Sequence, residues 1–134
     1  MTLDDDTIAR LIAAASAARE RAYAPYSRYR VGAALLCADD SIVTGCNVEN
    51  SSYSVTCCAE RSALFAAVSA GHRSFRAIAV SVHGEAVAPC GVCRQALAEF
   101  GTTLPIVLHG EGSAPVLLTL EHLLPLPFTP DALS

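Results

Sequence analysis

Three cysteines in two short clusters limit the folds open to this chain. Cys90 and Cys93 lie in Pro89-Cys-Gly-Val-Cys93, Cys58 lies in Cys58-Ala-Glu60, and each cluster opens a run with helical apolar spacing. An i,i+3 pair puts both sulfurs of the CxxC on one side of its helix, at a distance two ligands of a tetrahedral metal can share. A CxxC alone serves equally as a redox pair or an ordinary structural feature. A third thiol at the start of another helix completes the protein ligand set of a catalytic zinc, leaving one position for water. Joining the three requires two helix N-termini to converge, and such ends favour negatively charged sulfur.

The rest of the pattern supplies an edge where they can meet. The first helix is predicted from Asp5 to Tyr23, with Ile8, Leu11, Ile12, Ala15 and Ala18 at helical spacing and an acidic start that suits the helix dipole. Strands are predicted over Val31–Ala38 and Ser41–Val48, joined at Asp39-Asp40. Then come a helix over Cys58–Ala70, a strand over Phe75–Val82, a helix over Cys90–Phe100 and a strand over Leu104–Leu108. A short edge strand over Pro115–Leu118 and a short helix over Thr119–Leu124 complete the order α-β-β-α-β-α-β-β-α. That order predicts an α/β fold in which helices cover both faces of a mixed sheet. A length of 134 residues fits one domain, 1–134. The proline-spaced tail from Pro125 to Pro130 has the composition of a segment that docks rather than folds alone.

Glu60 and Arg61 give the metal reading its chemistry. Residues 58 and 60 stand about 200° apart around a helix, so a helix pointing end-on at the site lets Cys58 reach the metal and Glu60 the substrate side. Glu60 as a fourth ligand, closing the site, remains the alternative at this level. Three thiolates around a divalent cation leave a formal charge of about −1. Arg61, one turn beyond Cys58, is placed to donate to the sulfurs and offset it. Of the other thiols, Cys37 lies in an apolar strand and reads as a buried thiol. Cys46 reads as structural, and Cys57 stands beside the ligand register. None of His72, His83, His109 and His122 sits at a convincing ligand spacing.

Charge narrows the partner. A net charge of −4 argues against binding through nucleic-acid phosphates, and Arg19, Arg21, Arg28 and Arg30 are the one basic grouping, read as solvated surface or a subunit contact. An acidic start without an apolar core, and apolar runs too short to span a bilayer, predict a cytoplasmic protein with no membrane association. Six cysteines then read as thiols or ligands.

Over nearly its whole length the sequence resembles the small homotetrameric zinc-dependent cytidine deaminases. The resemblance rests on Ala24-Pro-Tyr-Ser27 with Val31-Gly-Ala-Ala-Leu35, Gly45-Cys-Asn-Val-Glu-Asn50, Cys58-Ala-Glu-Arg61, Pro89-Cys-Gly-Val-Cys-Arg-Gln95, and Leu-Leu-Pro125 followed by Phe128. It implies a three-layer α/β/α cytidine deaminase-like fold with a five-stranded sheet, one Zn2+ per subunit on Cys58, Cys90 and Cys93, and Cys58 rather than Cys57 as ligand. It implies hydrolytic deamination of cytidine and 2'-deoxycytidine by zinc-bound hydroxide, with Glu60 as proton shuttle. Asn47 and Glu49 would bind the ribose hydroxyls, and the Ala59 amide would contact the pyrimidine O2. Tyr29, where the family usually carries phenylalanine, would stack on the base or wall the pocket. Tyr53 would lie near the pocket. Phe128 would reach a neighbouring subunit's site in a homotetramer. The competing readings are deamination of a related cytosine compound such as blasticidin S, a polynucleotide deaminase, which the acidic chain disfavours, and a zinc-stabilised or redox protein without catalysis.

Overall fold

The computed structural model describes residues 3–133. The first helix, α1 (Asp5–Arg19), starts at Asp4, whose carboxylate accepts the Thr7 amide at 2.7 Å, and carries Asp5 and Asp6 in its positive first turn. It ends four residues before the predicted Tyr23, for non-local reasons. Arg19 turns inward to donate to Ser81 Oγ (3.1 Å), the Val82 carbonyl (3.0 Å) and Glu111 (2.7 Å). Beyond it the Tyr23 amide donates to the Asn47 carbonyl (3.0 Å) and the Glu49 amide to the Tyr23 carbonyl (2.8 Å), which pulls that segment into an extended bridge.

Strands β1 (Val31–Cys37) and β2 (Ile42–Cys46) form the expected hairpin about Asp39-Asp40, with Asp40 at φ 73° and the Cys37 amide donating to the Ser41 carbonyl. β2 stops two residues short of Val48, because the Asn47 side chain crosses to the Tyr29 carbonyl (2.8 Å) and the Val31 amide (2.9 Å). After it come α2 (Ala59–Ser69), β3 (Phe75–Val82), α3 (Gly91–Ala98), β4 (Pro105–Gly110), β5 (Val116–Thr119) and α4 (Leu120–Leu123). The element order is the predicted one, with added 3-10 turns at Tyr53–Val55 and Pro130–Leu133.

The sheet order is β2-β1-β3-β4-β5; β3 and β4 run parallel and the other neighbours antiparallel, so the sheet is mixed as expected. Alternation along β1 sorts two cores. Ala33, Leu35 and Cys37 face α2 and α3 with Leu64, Ile78, Leu97 and Ile106, while Ala34 and Leu36 face α1 with Leu11, Ala15 and Val107. The result is three layers, α/β/α. Burial of each large aliphatic side chain contributes about 1.5–3 kcal/mol.

Glycine sets how closely the helices sit. A Cβ at Gly45 would lie 2.3 Å from the Ala63 amide nitrogen and 2.7 Å from the Ala59 carbonyl oxygen, so only glycine lets β2 meet the first turns of α2. That contact fixes where the start of α2 points. Among the described residues no helix is long and apolar enough to cross a membrane.

Candidate metal centre and catalytic pocket

The connection from β3 to α3 and the docking of α2 on β2 bring two helix starts together. Cys58 is the N-cap of α2 and Cys90 the N-cap of α3, both in extended backbone and neither making a side-chain capping bond. Their sulfurs are therefore free to turn toward one another. Cys58 Sγ lies 3.8 Å from Cys90 Sγ, Cys90 Sγ 3.6 Å from Cys93 Sγ, and all three fall within 4.8 Å. A tetrahedron with Zn–S bonds of about 2.3 Å has edges of about 3.8 Å, so the donor set fits zinc as it stands. Among the described residues no fourth histidine, cysteine or carboxylate joins this group, and Glu60 is outside it. Cys57 points elsewhere: its sulfur meets Ser62 Oγ and the Cys58 carbonyl, each at 3.6 Å.

The charges around the sulfurs are arranged for anions. Cys58 is held down to about 5, first by a hydrogen bond from Cys93, then by Arg61 and Cys90 against the opposing effect of burial. Cys93 is pushed up, because it is the thiol that donates to Cys58 and because it is buried. A divalent cation at the cluster would displace the thiol protons. Arg61 Nη2 donates to Cys58 Sγ at 3.5 Å, and its own pKa is raised by Cys58 and Cys93.

Glu60, only 5% exposed, is raised from its ordinary value chiefly by burial and further by the Cys58 charge. It lines a cavity of about 270 Å3 with Tyr29, Asn47, Glu49, Cys58 and Ala59, near the roughly 300 Å3 lower bound of small-molecule sites. Tyr29 is raised by burial and by Glu60. Five of the six residues singled out as substrate-binding or catalytic therefore share one cavity. Phe128 does not: it is 59% exposed, and its backbone amide and carbonyl pair with the Gln95 side chain at 3.1 and 2.7 Å.

Sequence reasoning left several participants without a role. Ser27 lines the same cavity and donates from Oγ to the Glu49 carboxylate, which also accepts the Tyr26 and Ser27 amides at 2.9 and 3.1 Å. Glu49 is lowered by these bonds, the Ser27 hydroxyl foremost. Thr56, Val87 and Ala88 also line the cavity. The Pro25-Tyr-Ser27 turn was the one visible signal for Ser27; the others come from loops that carry no pattern.

Residues 5–109 match the family model for the cytidine and deoxycytidylate deaminase zinc-binding region. The chain belongs to this family. It is 50% identical to the cytidine deaminase of Sporosarcina psychrophila over 129 residues, 95% of each chain. It is 47% identical to that of Halalkalibacterium halodurans over 126 residues, 92% of this chain and 96% of the relative. The crystal structure of cytidine deaminase from Burkholderia pseudomallei superposes with a TM-score of 0.86 at 49% identity, covering 90% of this chain and 98% of that one. The fold is thus cytidine deaminase-like, the chain is a zinc-dependent enzyme of the hydrolytic deaminase class, and its thiol cluster serves one catalytic zinc per chain.

Proposed function

We propose that residues 1–134 form one catalytic domain that converts cytidine and 2'-deoxycytidine, with water, to uridine and 2'-deoxyuridine and ammonia. The observation that carries this reading is Glu60, buried at the wall of a cavity beside three thiols spaced for zinc, with a second carboxylate, Glu49, lining the same cavity. Zinc held by Cys58, Cys90 and Cys93 supplies a Lewis acid that makes water nucleophilic at neutral pH. Glu60 takes one proton from the water that attacks C4 and passes it to N3, then carries the second proton, from the resulting C4 hydroxyl, to the amino nitrogen, so that the C4–N bond breaks and ammonia departs as the C4 carbonyl forms. Arg61 balances the charge of the thiolates.

Binding follows from groups with one hydrogen-bonding sense. Glu49, kept ionised by its three donors, accepts only, which suits a ribose hydroxyl. Asn47 Oδ1 has a second lone pair beyond the Val31 amide and acts on the ribose beside it. The Ala59 amide, in the first turn of α2 with no partner inside the helix, faces the cavity and donates to the pyrimidine O2. Tyr29 walls the base.

Ultraviolet absorbance on mixing zinc-loaded protein with cytidine tests the reading. Conversion of cytidine and deoxycytidine but poor conversion of free cytosine is expected, and Glu49→Gln is expected to lower kcat/KM for cytidine by about 10–100-fold, the worth of a charged hydrogen bond. No conversion of either nucleoside by folded, zinc-loaded protein would reject it.

The assembly is a homotetramer, in this proposal, with Phe128 entering a neighbour's pocket. Its support is the exposure of Phe128, with Gln95 holding its backbone, and of Tyr26 and Tyr53, which lie beside Glu49 around an adjoining cavity of about 370 Å3. Light scattering should show one species of about four chains, and Phe128→Ala should raise KM; a fully active monomer would contradict both. All six thiols are unpaired, which accords with a reducing cytoplasm.

A further inference from the structure

At the far end of β1 from the catalytic cluster, the structure brings together three side chains that lie apart in sequence. Cys37 Sγ, an Asp39 carboxylate oxygen and a His72 ring nitrogen lie within 4.8 Å of one another. Cys37 closes β1, Asp39 sits in the hairpin turn, and His72 follows the end of α2. Spacing along the chain hides the group, because its histidine comes from a different connection. Among the described residues it is the one other set of three such donors besides the catalytic thiols.

We propose that this group is a second, weaker site for a divalent transition-metal ion, separate from the catalytic zinc and independent of the deamination reading. Each donor is available and held. Ser41 donates to Asp39 Oδ1 through both its amide (3.0 Å) and its hydroxyl (2.6 Å), which orients the carboxylate and leaves Oδ2 without a hydrogen bond. That is the arrangement by which neighbouring donors aim a ligating carboxylate. The His72 ring makes no hydrogen bond among the described residues, while its backbone is anchored by its amide on the Ala67 carbonyl. Cys37 is fully buried, with only a 4.0 Å contact from its thiol to the Leu35 carbonyl and Ser41 near by. Its amide donates to the Ser41 carbonyl and its carbonyl accepts the Asp40 amide, while the Ala38 amide donates to the Ser74 carbonyl, so the hairpin and the α2–β3 connection already meet.

Sulfur, imidazole and carboxylate together select zinc, cobalt or nickel over magnesium or calcium. When the metal binds, the Cys37 S–H bond breaks, its proton goes to solvent and the sulfur–metal bond forms. One thiolate, one carboxylate and a neutral imidazole then balance the dication. The Arg10 and Arg76 guanidiniums pair with Asp40, at 3.5 and 3.0 Å, and Arg73 Nη1 donates to the Val68 and His72 carbonyls, each at 2.8 Å. The ion clips the β1–β2 turn to the loop after α2 and stabilises the fold in proportion to its occupancy.

The test uses untagged holoenzyme dialysed against rising free zinc, with bound metal counted. Wild type should pass from about one equivalent to about two as free zinc rises, and His72→Ala and Asp39→Asn should each stop at about one while keeping wild-type turnover. Both positions are solvent-accessible, so neither variant hollows the core as a change at Cys37 would. Cobalt in the second site should add sulfur-to-metal charge-transfer absorption that both variants lack. A wild type that stays at one equivalent, a second equivalent kept by either variant, or second-site cobalt without the sulfur band would each overturn the proposal.

Discussion

Glu60→Gln is expected to leave a folded, zinc-loaded protein whose turnover of cytidine falls on the order of 10³-fold or more. Glutamine keeps the shape of a side chain that is 5% exposed at the cavity wall, yet it cannot carry a proton between water and the ring. Stability should move the other way. Burial raises the Glu60 carboxyl from its ordinary value, so holding it ionised opposes folding once the pH exceeds that ordinary value. The neutral amide removes this cost, and Tm at neutral pH should equal or exceed that of the wild type. Steady-state kinetics paired with a melting curve separates the cases. Lost turnover with retained Tm and zinc assigns Glu60 to the chemistry, whereas near-normal kcat removes it.

The second large effect concerns the metal. Cys90→Ala is expected to weaken zinc binding by more than the roughly 10–100-fold typical of losing a group that merely orients a ligand, and activity at stoichiometric zinc should vanish with it. Cys90 is exposed, so this substitution leaves no core cavity, whereas Cys93 is fully buried and its loss would mix packing with ligation. Cys57→Ala is the matched control, since its sulfur faces Ser62 rather than the cluster. Metal analysis alongside the activity assay decides it: equal zinc content in the Cys90 and Cys57 variants would place the metal elsewhere. A chelator should inactivate the wild type, and added zinc should restore it.

The parts of this fold legible in sequence are those governed by local periodicity. The order of helices and strands, the Asp39-Asp40 hairpin and the two helix starts at Cys58 and Cys90 follow from spacing and turn residues. What was not legible is what distant segments do to one another. Arg19 reads as the middle of a helix, yet its bonds to Ser81, Val82 and Glu111 and the bridge from Tyr23 to Val48 end α1 there. Asn47 reads as part of a strand, but its side-chain amide bonds the Tyr29 and Val31 backbone. In the site, the convergence of the three thiols, with Glu60 beside Cys58, was readable because side chains at helix starts leave a pattern. The Ser27 bond to Glu49 and the Gln95 grip on Phe128 were not, since each reaches a loop or tail segment that carries no periodicity of its own.

The metal ligands and the pocket wall respond differently to changes in chain length. Cys90 and Cys93 belong to one helical turn that begins at Pro89, so a residue inserted between them rotates one sulfur out of reach. The connection from His83 to Ala88 is mostly exposed and contributes Val87 and Ala88 to the cavity. Lengthening or shortening that connection reshapes the cavity wall, while Pro89 and the turn behind it keep the Cys90 and Cys93 sulfurs in place. Drift in substrate choice among descendants of this chain therefore has a route that leaves the chemistry intact, and it runs through the six residues before Pro89.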